Sequence, residues 1–71
     1  MSRYETTARD GCDVAYGYDR HMLYWYDVYA DAEMPYGAMH LTGVALYDTL
    51  KALGVDVPEA HEEAMFLDTE F

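Results

Sequence analysis

The sequence predicts an α+β fold: a three-stranded antiparallel β-meander followed by two helices packed on one face. Three observations carry this expectation. Apolar and aromatic residues alternate at period two through the first thirty positions. A helical stripe bounded by cap residues then runs over 42–53, and a second helix start stands at 56–59.

The strongest strand signal is the stretch from Cys12 to Ala30. Cys12, Val14, Tyr16 and Tyr18 alternate on one side of 12–18, and Met22, Tyr24, Tyr26, Val28 and Ala30 do the same over 22–30. Tyr, Trp and Val suit a pleated, half-buried surface. A turn at Asp19–His21 pairs Tyr18 with Met22, Tyr16 with Tyr24, Val14 with Tyr26 and Cys12 with Val28, which places the even residues on one face. The odd face carries Asp13, Ala15, Gly17, Leu23, Trp25, Asp27 and Tyr29; it is mixed and expected to be partly exposed.

A first strand is expected over 2–9, joined to the second through Asp10-Gly11, a hairpin turn signal. A strict two-residue loop pairs Arg9 with Cys12 and sets Glu5 and Thr7 on the Val14 face. A three-residue loop with a bulge at Gly11 sets Tyr4, Thr6 and Ala8 there. The second is preferred because it keeps the apolar sets together. Residues 31–40 hold Pro35 and Gly37 and read as a connection, from which Met34, Tyr36 and Met39 either pack back on the sheet or form an adaptable surface.

Thr42 is the expected N-cap of the first helix and Gly54 its terminator; Val44, Leu46, Tyr47, Leu50 and Leu53 form its apolar stripe. The second helix is expected over 58–67, with Pro58 at its first position and acids in the first turn. Ala60, Ala64 and Leu67 are expected inward, and Glu59, Glu62 and Glu63 outward. At the end, the chain either frays or anchors on the sheet through Phe66 and Phe71.

Seventy-one residues suit one domain over 1–71, of a size that gains stability from tight packing or from a partner. The single Cys12 excludes an internal disulfide, which fits a reducing bacterial cytoplasm, and the start of the chain has no apolar run of a signal peptide. No stretch reaches the roughly 20 apolar residues of a membrane helix.

Net charge is −10, and it is uneven: residues 1–30 carry −2 and residues 31–71 carry −8. Such a chain repels nucleic acid and phospholipid and is drawn to basic protein surfaces, with fast, salt-sensitive association. Direct nucleic-acid binding is therefore disfavoured.

Catalytic and metal chemistry find little support. Cys12, His21, His40 and His61 match no compact ligand spacing, so neither metal nor cofactor is expected. The one Ser, Ser2, lies near the chain start, and Cys12 falls on the presumed core face, where thiols are usually inert. Phosphate-cradling glycine motifs are absent and no carboxylate pair stands out, so the chain is not expected to be an enzyme.

The acids have two readings: a solvated face or high-salt adaptation, and mimicry of a nucleic acid. Carboxylates two apart on a strand stand about 6.6 Å apart, and those three or four apart on a helix about 5–6 Å, spacings comparable with a phosphate ladder. The candidate partner-binding acids are Asp27, Asp31 and Glu33 at the sheet edge, Asp48 on the first helix, and Asp56, Glu59, Glu62 and Glu63 at the second. Trp25, Tyr29 and Tyr36, with Tyr47 beside them, are candidate exposed aromatic anchors, because Tyr and Trp dominate interface hot spots.

With MSRYETTARDGCDVAYGYDR at its start, this small acidic, Tyr-rich chain resembles the anti-CRISPR proteins of phages and mobile elements, most of all the type I-C inhibitor group from Pseudomonas. YGYD at 16–19, GVDVPEAH at 54–61 and FLDTEF at 66–71 are also similar to small bacterial proteins of the same β-then-α layout. The resemblance implies an inhibitor that binds a crRNA-guided Cascade complex in its DNA path. It carries over no binding residues; those named above rest on charge and residue type. The alternative is an acidic interaction module, antitoxin-like or regulatory, on another basic host protein. A monomer is expected over a homodimer.

Overall fold

A computed structural model describes residues 2–30 and 35–71. An antiparallel sheet carries two helices on one face, so the α+β class stands. Among the described residues the sheet, however, has four strands in chain order: β1 (Tyr4–Thr7), β2 (Asp13–Asp19), β3 (Leu23–Tyr29) and β4 (Tyr36–Leu41). Helices α1 (Gly43–Ala52) and α2 (Glu59–Leu67) follow.

The first hairpin has the bulged, three-residue loop. Tyr4 pairs with Tyr16 and Thr6 with Val14, and the Ala8 amide donates to the Cys12 carbonyl at 2.8 Å. Gly11 takes φ 90° in that loop, a value that a side chain disfavours. The second hairpin keeps the expected faces but not the expected partners. Its turn lies one residue later, so Asp19 pairs with Leu23, Tyr18 with Tyr24, Tyr16 with Tyr26 and Val14 with Val28. The Asp19 carboxylate fixes this turn by accepting the His21 amide at 2.7 Å.

The principal correction falls at 31–40. Instead of a connection throughout, Tyr36–Leu41 pairs with β3: Tyr36 opposite Val28, Gly37 opposite Asp27, Ala38 opposite Tyr26 and Leu41 opposite Tyr24. Met39 and His40 together oppose Trp25, a bulge in which His40 takes φ 62°.

The core lies between the sheet's even face and the helices. Val14, Tyr16, Tyr24 and Val28 from the sheet meet Leu46 and Leu50 of α1, Val55, and Met65 of α2. Thr42 caps α1 by accepting the Ala45 amide at 3.1 Å. At the other end Gly54 takes φ 79°, and the amides of Gly54 and Val55 return to the carbonyls of Lys51 and Leu50. This closure satisfies two orphan carbonyls and buries Val55. Pro58 is the cap residue of α2 rather than its first helical residue.

The orientation of α2 also differs from the expected one. Met65 and Ala64 are buried and His61 is half-buried, whereas Ala60 is exposed and Leu67 is 64% exposed. Two contacts set this rotation. Tyr16 Oη and His61 Nδ1 are hydrogen-bonded at 2.6 Å, and the Gly43 backbone lies so close to the backbone of Met65 that no Cβ fits between them. Val44, placed on the α1 stripe by periodicity, is likewise exposed. Of the two terminal aromatics, Phe71 anchors: it stacks among Tyr4, Tyr24 and His61. Phe66 instead faces outward.

Candidate functional site

Helical spacing builds the most developed surface. Glu59, Glu62, Glu63 and Phe66 stand at i, i+3, i+4 and i+7 and so share one side of α2, opposite the buried Ala64 and Met65. With Val57 and Leu67 they line an open groove of about 610 Å³. Its walls are carboxylate and its apolar part is Phe66, 51% exposed, with Leu67. Phe66 packs against Tyr47 of α1, ring centroids 4.9 Å apart, and Val44 stands one turn from Tyr47 on the same side of α1. An apolar strip therefore crosses from one helix to the other, bordered by glutamates. No Lys or Arg lines the groove.

Local sequence explains the placement. Pro58 sets the helix start, and Glu59 and Glu62 in the first turn meet the positive end of the helix dipole. That gain offsets part of the repulsion among three like charges one turn apart. Asp56 is exposed just before the helix, and Asp48 is exposed on α1. Among the described residues the one ion pair is Arg3–Glu5, at 3.4 Å on the sheet, so the α2 carboxylates have no cation partner; Glu59 and Glu63 are exposed and Glu62 is half-buried.

The remaining sequence candidates lie elsewhere. Asp27 is on β3, half-buried, on the sheet face that the helices leave open. Asp31 and Glu33 lie outside the described residues. Tyr29 is 38% exposed and its hydroxyl accepts from Arg3 Nη2 at 3.2 Å; Tyr36 on β4 is 53% exposed. Trp25 differs from the expectation: it is 5% exposed, opposite Gly17 and with the Arg3 guanidinium over its ring at 5.8 Å. An indole under a cation is a packed element of the open sheet face and not a free anchor. The acids and aromatics expected to act together are thus divided between the helical layer and the sheet. Phe66 and Leu67 are surface residues that hydropathy alone does not reveal, although their i+3 and i+4 offsets from Glu63 place them on the glutamate side.

The groups with reactive potential are turned to structure. Tyr16 is buried, which pushes its phenol up to about 12, and its partner His61 is drawn below the ordinary imidazole value by the same burial. Hydrogen bonding to Asp10, and then partial desolvation, raises the Cys12 thiol, which leaves little thiolate for nucleophilic attack. Among the described residues no group of His, Cys, Asp and Glu is arranged to hold a metal ion. No helix among them is long and apolar enough to cross a membrane.

No protein-family model, no curated protein and no solved structure matches this chain.

Proposed function

We infer that this chain is a non-enzymatic inhibitor whose outer α2 surface docks on a basic, DNA-binding protein surface. The resemblance of its sequence to type I-C anti-CRISPR proteins makes the target-DNA groove of a Cascade complex the proposed target. One observation carries the docking reading: three glutamates at helical spacing surround exposed Phe66 and Leu67 in a groove with no cation of its own. The carboxylates supply long-range attraction to lysines and arginines that otherwise hold DNA phosphates. The apolar strip gives what a phosphate ladder lacks, a desolvated contact that slows dissociation. Occupying the groove blocks recruitment of target DNA by charge competition and bulk.

The test is a pull-down and a target-DNA competition with purified type I-C Cascade at two salt concentrations. Four surface charges at ~0.2–1 kcal/mol each predict that reversing Asp56, Glu59, Glu62 and Glu63 together weakens binding about fourfold to nearly a thousandfold, and each alone far less. Phe66→Ser is expected to speed dissociation at both salts. Binding that leaves DNA recruitment intact moves the action to the nuclease step. Absence of binding removes this target and turns the search to other basic host proteins.

A further inference from the structure

The far edge of the sheet holds a second surface that does not involve α2. Strand β4 ends the sheet, and no described element pairs with its outer side. Tyr36 to His40 are exposed without interruption, and Tyr36 and Met39 are each 53% exposed. An edge strand with open N–H and C=O groups is a template for another strand, and proteins usually guard it with charge. In a chain of net charge −10, Tyr36–Leu41 carries no acid and no Lys or Arg. The bulge at Met39 and His40 interrupts only the later half; Tyr36, Gly37 and Ala38 stay in regular register with β3.

Gly37 turns this edge into a selective one. It pairs with Asp27, and the place that a Cβ on Gly37 would take is filled by the Tyr26 carbonyl, with Asp27 Oδ1 2.7 Å from it. The Asp27 carboxylate therefore packs against the Gly37 backbone, at a position that only glycine allows. Beside it is a cavity of about 240 Å³, lined by Asp27, Gly37, Met39, Met22, Trp25 and Arg3 with Ala38. Arg3 is the one cation there, and Glu5 and Tyr29 hold its guanidinium.

The geometry points to strand addition: β4 takes an extended segment of a partner protein as a fifth strand, with a Lys or Arg opposite Gly37. The side chain of a residue paired with Gly37 falls on the same sheet face as Asp27. Neighbouring strands are about 4.8 Å apart, so a long aliphatic stem passes over Gly37, which has no side chain of its own, and brings its charge to the Asp27 carboxylate. Met39 and Met22 give the stem an adaptable apolar wall. Main-chain hydrogen bonds supply the attachment and this pocket the selection. A second copy of the chain is a poor occupant, because its own β4 offers no cation for Asp27 and it brings ten further negative charges.

The inference does not depend on the target proposed for α2, and its test separates the two. The probe is an acetylated and amidated eight-residue peptide of alternating Thr and Val with one central Lys, titrated into the isotope-labelled full chain by NMR. The expected result is shifts at Tyr36–Leu41 and Asp27, with slowed exchange of the outward β4 amides. A peptide with Glu in place of Lys, and the variants Asp27→Asn and Met39→Lys, are each expected to bind about fivefold more weakly, the scale of one partly screened ion pair. Met39 is exposed, so Met39→Lys tests the edge in a folded chain even if Asp27→Asn disturbs β3. Phe66→Ser on α2, which leaves the net charge unaltered, should leave peptide binding unchanged. Equal binding of the Lys and Glu peptides overturns the inference, as do shifts confined to the α2 groove. Free chain that sediments as a dimer with protected β4 amides also overturns it, because the occupant is then a second copy.

Discussion

Replacing Tyr16 by Phe is expected to reverse its effect on stability as the pH rises, and the size of the reversal follows from one buried phenol. Tyr16 is 2% exposed and bonded to His61 Nδ1 at 2.6 Å. Its folded-state value near 12 stands against about 10 for a tyrosine in the unfolded chain. Between these values the native state holds a proton that the unfolded state has lost, so stability falls as the pH rises. The full difference is on the order of 3 kcal/mol, present below about pH 10 and gone above about pH 12; by about pH 11 roughly half is lost. Tyr16→Phe lacks this dependence but forfeits the hydrogen bond, about 1 kcal/mol at neutral pH. Urea unfolding followed by circular dichroism at pH 8 and pH 11 should therefore find the variant weaker at the first and equal or stronger at the second. The acid side has the same origin. His61 is held below its unfolded value by burial, so the unfolded chain takes up that proton first, and stability present above about pH 6.5 declines as the pH falls through it. A constant gap between wild type and Tyr16→Phe from pH 8 to 11 would refute the reasoning, since the other seven tyrosines are common to both chains.

Two further substitutions probe the packing beneath the docking face. Leu50→Ala removes a fully buried side chain between helix and sheet and should cost about 2–5 kcal/mol in urea unfolding, with a smaller loss meaning that the site collapses around the gap. Gly43→Ala places a methyl group against the Met65 backbone and should destabilise by about 1–3 kcal/mol despite better helix propensity; a thermally stabilised variant would show that α1 and α2 part without cost.

What the sequence made legible was what neighbouring residues decide. The bulged loop at Gly11, the Thr42 cap and the Gly54 terminator each follow from a few adjacent positions, and each is present. The faces of β2 and β3 were also legible, because alternation fixes a face even when the turn moves by one residue; the partners were not, because the Asp19 side chain sets the turn. Strand β4 was hidden by Pro35 and Gly37, which read as loop signals, while its pairing with β3 is a tertiary fact. The rotation of α2 was hidden for a similar reason. Hydropathy set Leu67 inward, but the helix is turned by the Tyr16–His61 bond and the close approach at Gly43, neither of which leaves a trace in local periodicity. The glutamate side of α2 was legible from spacing alone, and the same spacing carries Phe66 and Leu67 to it; the burial of Trp25 was not, because it involves Arg3, 22 residues away in the chain.

Strand order equal to chain order also bears on how the chain finds its structure. Each of the three strand pairings joins segments adjacent in sequence, so the whole sheet can zip up by successive short closures without waiting for a distant partner. The helical layer is different. Its ties to the sheet, Tyr16 to His61 and Tyr24 to the Thr69 carbonyl, each span 45 residues. Rapid collapse of the meander is then expected to come before closure of the lid formed by α1 and α2. In that interval the even face, with Val14, Tyr16, Tyr24 and Val28, stands uncovered, and the high negative charge keeps such half-formed chains apart until the helices settle.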